Sequence, residues 1–394
     1  MNQQNNRALR VLMVSPQFRP LTGGYERAAE RLSAALVENG IYVVVITEHR
    51  NRDWPRVEHL DGYVVRRLFC FYRPHFHILT GLLSLAGFLL LHGRSFDVWH
   101  VHQYGYHAAL AVALSKFLSR PVIIKLTSSA ALGIEKTTGR HIVSSLLGFL
   151  QRQASACIVI SPETRTEAIR YGFPSERVFL LPNGISSRQF CPASPHQRQA
   201  ARRELGLVCD RLVLNVGRLS AEKNPLGLLE AWRDVDPEAR AGVLLALVGD
   251  GPELDNVRAK VQALNLAGSI HLAGHCSEVA TWYRAADLYV IPSHIEGLSN
   301  SMIEAMASGL PVVSTRVSGS STLSEEPAAG MVVNVGDTKA IAAAIEALLT
   351  NESMRVRLSK NARLKFEARF AMEIVSRNTM SLYQGLRFSQ QDAT

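Results

Sequence analysis

The chain has 394 residues, 47% of them apolar and 20% charged. That composition is globular and excludes disorder as the main state, and the length predicts two or three domains. Lysine and arginine number 43 against 34 aspartates and glutamates, a net charge of +9. The excess sits in one half: residues 1–185 hold 21 basic and 12 acidic side chains, while the remaining 22 and 22 balance.

A basic half beside a neutral half points to two units meeting different partners. MNQQNNRALR, at the start, lacks the apolar core of a signal peptide. Cys70, Cys157, Cys191, Cys209 and Cys276 are scattered without metal-ligand spacing. Free thiols in a reducing, cytoplasmic compartment are the expectation.

In chain order the pattern is strand, turn, helix, repeated. RVLMVS (Arg10–Ser15) reads as a buried strand and Pro16–Gly24 as a loop. Tyr25–Glu38 carries apolar residues at helical spacing, and Asn39-Gly40 ends it. Strands follow at Ile41–Thr47, Asp97–His102, Pro121–Thr127 and Ala156–Ser161. Between them lies an apolar run, Ile78–Leu91, preceded by the basic FCFYRPHFH (Phe69–His77). Fourteen residues are too few to span a bilayer as a helix. The run reads either as a core helix, which its length and position favour, or as a peripheral attachment to an anionic membrane.

CPASPHQRQA (Cys191–Ala200) has two prolines and no strand signal, and reads as a linker. Beyond it the pattern restarts with strands at Arg211–Gly217, Val243–Gly249, Ser269–Gly274, Leu288–Ser293 and Pro311–Thr315, and helices such as Pro225–Arg233 and Asn300–Ser308. Continuous Val/Ile runs separated by helices predict parallel sheets covered on both faces. The fold class is therefore α/β, two doubly wound Rossmann-like domains, with ligands at the carboxyl ends of the strands and a cleft between the domains as the natural site.

The densest cluster of chemistry is IPSHIEGLSNSMIEAMASGLPVVST (Ile291–Thr315). Gly297 to Asn300 form a helix start, where backbone N–H groups attract anions and hydroxyl oxygens. Glu296 precedes that start and Glu304 lies about two turns inside. Alone, Glu304 reads as a solvated helix carboxylate; in this string it reads as an acceptor for a ribose diol. NVGRLSAEKN (Asn215–Asn224) places Arg218 and Lys223 in the loop after a strand, a pairing suited to a diphosphate or to two ordinary surface cations. Gly23-Gly24 is not a dinucleotide fingerprint and reads as a turn or a phosphate approach. Asp250-Gly251 reads as a turn or a ligand contact. Asp234 and Asp236 read as turn chemistry rather than a metal site.

These stretches resemble family 4 of the retaining glycosyltransferases, the glycosyltransferase group 1 family with a GT-B fold. The resemblance runs over nearly the whole chain: the Gly23-Gly24 loop, DVWHVH, LPNGIS, VGRLSAEKN, VGDGPE and EGLSNSMIEAMASGLPVV. It implies residues 1–190 as an acceptor-binding domain, with a C-terminal helix (about 371–394) packing back on it. Residues 201–370 become the nucleotide-sugar domain. It also implies Arg218 and Lys223 on the donor diphosphate and Glu304 on ribose. Glu296 with Gly297, Leu298 and Ser299 falls by the donor sugar, Gly24 approaches from the first domain, and His275 and Cys276 lie beside the base. Many members have a histidine after the strand matching PVIIKLT; Thr127 stands here instead. His102 is a further candidate for the catalytic set with Glu296, Arg218 and Lys223, whereas His100 reads as a structural hydrogen-bonder.

The implied reaction is metal-independent, retaining transfer from a nucleoside diphosphate sugar, UDP favoured over GDP, to an acceptor hydroxyl. The expected setting is polysaccharide, glycolipid or cell-envelope glycan synthesis at the inner face of a membrane, with a glycan or lipid-linked acceptor. The donor is a substrate and no cofactor is expected. A nucleotide-sugar 2-epimerase of the same fold is the alternative, though the first half offers few acidic residues near strand ends. A basic, non-enzymatic binding protein is the third reading; no nucleic-acid motif accompanies the dispersed arginines.

Overall fold

A computed structural model describes residues 7–21, 23–71, 73, 76–127 and 142–391. The first six residues of the opening stretch, positions 72, 74 and 75 of the basic segment, and positions 128–130 of KLTSSA lie outside the described residues. The chain divides into two compact units: one runs to Gly184 and resumes at Met372, and the other is Ile185–Ala371.

The first unit holds eight strands: β1 (Arg10–Val14), β2 (Tyr42–His49), β3 (Val57–Leu60), β4 (Tyr63–Phe69), β5 (Val98–His102), β6 (Val122–Leu126), β7 (Ala156–Val159) and β8 (Val178–Leu180). Their order is β3-β4-β2-β1-β5-β6-β7-β8. All neighbours pair in parallel except β3 and β4. The Val/Ile-rich strands β1, β5, β6 and β7 are buried on both faces, as parallel strands covered by helices must be. The β3–β4 hairpin turns on Asp61-Gly62, both at positive φ (44° and 82°), the geometry a two-residue hairpin loop requires.

Helices α1 (Gly24–Glu38), α2 (Phe76–His92), α3 (Tyr106–Leu118), α4 (Ile142–Arg152) and α5 (Pro162–Arg170) cover the sheet. The terminal helix, Met372–Gln391, completes it, packing on α1 and placing Tyr383 in the core with Val11, Met13 and Ile158.

Helix α2 departs from the favoured core-helix reading. Only Leu85 and Leu89 are buried, while Phe76, Ile78, Leu79, Leu83, Leu90 and Leu91 are exposed. The apolar face is wider than the seam that the sheet covers. With the 3-10 turn Gly93–Ser95 the helix is also long and apolar enough to cross a membrane, so the fourteen-residue limit does not hold.

The second unit holds β9 (Arg211–Val216), β10 (Val243–Val248), β11 (Ile270–Gly274), β12 (Leu288–Ile291), β13 (Val312–Thr315) and β14 (Gly330–Val333). They form a parallel sheet in the order β11-β10-β9-β12-β13-β14. The segment read as a linker is helical from Pro195. Ser194 and Gln197 form a capping box, and Pro195 is pre-set for the first helical turn of α6 (Pro195–Glu204). Arg202 on that helix donates to the Ala285 carbonyl and pairs with Asp287, which fixes the helix within this unit. The Asp236 carboxylate accepts from the Glu238 and Ala239 N–H groups, a capped turn.

Candidate active site

Each sheet has one place where the chain reverses its direction of strand addition, and ligands of open α/β sheets bind at the carboxyl end there. In the second unit β10 and β11 build outward from one side of β9, and β12 returns to the other. The reversal lies between β9 and β12. In the first unit it lies between β1 and β5.

The loops after β9 and β12 carry Lys223 and Glu296, and the structure brings them together. The Lys223 Nζ is 2.6 Å from both Glu296 oxygens. The Ser293 hydroxyl donates to Glu296 Oε1 at 2.9 Å, and the Thr315 hydroxyl donates to the Ser293 carbonyl at 2.5 Å. Further bonds stitch the two loops: His294 N–H to the Glu222 carbonyl at 2.8 Å and the Asn224 amide to the Pro292 carbonyl at 3.2 Å. Glu296 is buried, while the Lys223 side chain remains one-third exposed. The pair therefore leaves its cation facing outward.

Arg218 lies in the same loop and is exposed. The carboxyl of Glu222 is held below its ordinary range by its own N–H, the Ser220 hydroxyl, Arg218 and Lys223. Gly249 and Gly251, in the loop after β10, allow this architecture. A Cβ at Gly249 would lie 1.9 Å from the Gly217 carbonyl oxygen, and one at Gly251 2.3 Å from that of Leu219. Leu219 N–H donates to the Asp250 carbonyl and Glu253 N–H to the Leu219 carbonyl, both at 2.9 Å. Asp250-Gly251 thus closes one loop onto the next.

Downstream of Glu296, Leu298 and Ser299 are buried and Gly297 is half-buried. Ser299 caps α7, our label for Asn300–Ala307, its hydroxyl accepting the Met302 N–H. Glu304 on that helix is not a solvated carboxylate. It is 4% exposed, and the Tyr283 hydroxyl donates to its Oε2 at 3.1 Å. Burial, then the neighbouring Tyr289 and Glu304, push the Tyr283 hydroxyl far above its ordinary value, so it stays a donor. His275 and Cys276 follow β11, two strands from β9; His275 is exposed, and the Cys276 thiol donates to the Glu278 carbonyl at 3.2 Å.

In the first unit, Gly24 starts α1 after β1, and His102 ends β5, so the two flank that reversal point. Gly23 caps the helix, with the buried Glu26 carboxylate folded against it; a Cβ there would lie 2.2 Å from Glu26 Oε2. Burial raises Glu26 above the ordinary carboxylate range.

His102 is fully buried. Its Nε2 lies 3.2 Å from the Met13 sulfur, its Nδ1 has no partner, and its ring stacks on His100. His100 Nδ1 meets the Tyr383 hydroxyl at 2.6 Å. Lys125, paired in register with His102, is buried on the same face. Desolvation lowers all three: His100 to about 3, Lys125 to about 8, and His102 well below its ordinary value. Thr127 lies half-buried just past β6.

Sequence reasoning missed Ser293, Thr315, Tyr283 and Glu26. Tyr283 lies 21 residues from Glu304 with no local pattern joining them.

Comparison with known proteins identifies the family. Residues 23–184 match the glycosyl transferase 4-like domain and residues 197–365 the glycosyl transferases group 1. The chain is 28% identical over 366 residues to the sulfoquinovosyl transferase SQD2 of Arabidopsis thaliana, covering 91% of this chain and 70% of that one. It is 24% identical to a UDP-Gal:alpha-D-GlcNAc-diphosphoundecaprenol alpha-1,3-galactosyltransferase of Escherichia coli, covering 90% and 92%. Among solved structures, sucrose-phosphate synthase from Thermosynechococcus elongatus superposes with a TM-score of 0.80 at 24% identity, over 97% and 100% of the chains. Anabaena Alr3699/HepE, in complex with UDP and glucose, gives 0.76 at 19% identity, over 95% and 99%. The chain belongs to the group 1 glycosyl transferases and is a glycosyltransferase of GT-B fold.

Proposed function

We propose that the protein transfers a sugar from a nucleoside diphosphate donor to an acceptor hydroxyl with retention of configuration. The observation that carries this reading is the Lys223–Glu296 pair, with Arg218 exposed in the same loop as Lys223, at the reversal point of the second sheet. As the glycosidic bond to the donor breaks, its electron pair passes to the departing diphosphate. Preorganised cations lower that barrier, because the charge grows toward the transition state. Glu296 and Ser293 hold the ammonium of Lys223 in place, and Arg218 supplies a planar, bidentate partner.

Glu304, held by Tyr283, receives the ribose hydroxyls, and the segment at His275 and Cys276 lies along the base. Gly297, Leu298 and Ser299 present the start of α7 to the donor sugar. UDP is favoured over GDP because the Anabaena protein was solved with UDP and the E. coli relative is named for UDP-Gal. A glycan or lipid-linked acceptor fits that relative's name, with a place in polysaccharide, glycolipid or cell-envelope synthesis. His102 is sealed in the sheet against Met13 and His100, and burial strongly disfavours its cationic form.

Ligand-detected NMR with UDP, GDP and their sugars tests the reading, followed by turnover with EDTA present and NMR of the product anomer. Binding of a uridine nucleotide that weakens in Arg218→Ala, with EDTA-resistant turnover and a retained anomer, is the expected result. Absence of binding by any nucleoside diphosphate, or an inverted product, rejects it.

A further inference from the structure

The outer surface of α2, α3 and α4 has no part in the proposed donor chemistry, and it is unusual for a surface. These three helices lie side by side over one face of the first sheet. From α2 the exposed side chains are Phe76, Ile78, Leu79, Leu83, Leu90 and Leu91. Helix α3 adds Phe117, and α4 adds Leu146 and Phe149. Exposed apolar side chains gathered on neighbouring helices in this way mark an interaction site.

Its border is cationic. Between Asp61 and Glu135 the sequence holds a single acidic residue, Asp97. That carboxylate is engaged by the Arg10 N–H at 2.8 Å and by Arg387. Over the same stretch Arg73 flanks one end of α2 and Arg94 the other, while Lys116 and Arg120 close α3. The two helix ends meet there, because the Arg120 guanidinium donates to the Arg94 carbonyl at 2.8 Å. No carboxylate among the described residues pairs with any of these four cations.

We infer that this face docks on an anionic lipid bilayer, with α2 lying in the interface. Apolar side chains bordered by arginine and lysine are what a helix at the headgroup boundary needs: the leucines enter the acyl boundary and the cations meet lipid phosphates. Helix α2 lies on the bilayer rather than across it. Leu85 and Leu89 are anchored in the core against Trp99 and Val112, and crossing would pull both out. A second copy of the chain is a poorer occupant. A two-fold interface places the same patch on both sides and would bring two unneutralised cationic borders together.

Flotation of the full chain with vesicles of phosphatidylcholine, alone or with phosphatidylglycerol, tests the inference. Co-flotation with the anionic vesicles at low salt, lost at high salt, is expected. Arg94→Ala and Arg73→Ala should each lower partitioning by about fivefold. The double variant Leu79→Ser/Leu83→Ser should lose flotation with its melting temperature unchanged, since both side chains are exposed. Val208→Ser, at a 95% exposed position in the second unit, should float like the parent. Three outcomes overturn the inference: no flotation at low salt, equal flotation with neutral vesicles, or flotation indifferent to both the leucine and the arginine variants. A dimer in light scattering that Leu83→Ser dissolves, without vesicle binding, also overturns it in favour of self-association.

Discussion

Lys223 and Glu296 are 73 residues apart in sequence, yet the ammonium of the first sits 2.6 Å from both carboxylate oxygens of the second. The pair joins the loops of two adjacent strands, β9 and β12. Removing the cation leaves a buried carboxylate with, among the described residues, only Ser293 as its side-chain donor. Lys223→Ala should lower kcat by roughly a hundredfold to a thousandfold, with a smaller rise in the donor KM. Steady-state kinetics with the best donor checks this, and an unchanged kcat removes Lys223 from the mechanism. The double variant Lys223→Ala/Glu296→Gln should lose less than the two single losses combined, because the residues act as one unit.

Gly249 should resist substitution for two reasons at once. Its φ of +147° suits glycine, and an added Cβ would sit on the Gly217 carbonyl oxygen. Gly249→Ala should destabilise the second unit by about 3 kcal/mol or more. Gly206 provides the contrast, with a φ of +67° and open space around it, so Gly206→Ala should cost only about 1 kcal/mol. Urea denaturation of both variants measures the difference; equal losses would show that the close approach of the two loops matters little.

Tyr283→Phe should separate the support of Glu304 from its use. The change removes one hydrogen-bond donor from a buried carboxylate and keeps the ring that packs on Phe190 and Tyr289. A loss of about 1–3 kcal/mol in stability is expected. The donor KM should rise several-fold while kcat changes less. Glu304→Gln should raise the same KM without a further fall in the melting temperature when combined with Tyr283→Phe. A KM untouched by both changes would leave Glu304 a structural residue.

Burial pushes the Lys125 amine down to about 8 from an ordinary 10.5. Between those two values the unfolded chain binds more protons than the folded one, so this residue makes stability rise with pH across that window. Below about 8 the cost of the buried charge is fully present. Lys125→Met should therefore stabilise the first unit at pH 7, by up to about 3 kcal/mol, and flatten its rise between pH 8 and 10.5. Melting temperatures across that range decide it. A variant less stable than the parent at pH 7 would show that Lys125 has a favourable partner.

The sheets were legible because period and composition carried them: runs such as PVIIKLT and VLLALVG have no polar face to expose. The β3–β4 hairpin was missed although Asp61-Gly62 is a strong turn signal, because VEHL and its polar alternation do not look like a buried strand. The helix at Pro195 was masked by two prolines that read as a break, when one of them starts the helix. For the site, adjacency in the sheet explains what was and was not visible. Glu296 and Glu304 belong to one local string, and the string could be read. The partners Ser293, Thr315 and Tyr283 become partners only once β12, β13 and the helix Ala280–Ala285 are packed. Helix α2 shows the opposite failure, since its apolar content predicted burial and only one seam of it is covered.

The bond between His100 and Tyr383 joins positions 283 residues apart within one compact unit. Tyr383 is fully buried there, and the helix that carries it is made after every element of the second unit. During synthesis the first unit therefore waits, its hydrophobic face beside β5 open, until the ribosome has made the whole second unit and the helix that follows it. The second unit, whose residues are contiguous, has all its strands available earlier. Order of translation and order of completion are thus inverted between the two halves. A stop codon that removes the terminal helix should leave the unit nearest the amino terminus unfinished and the later one intact.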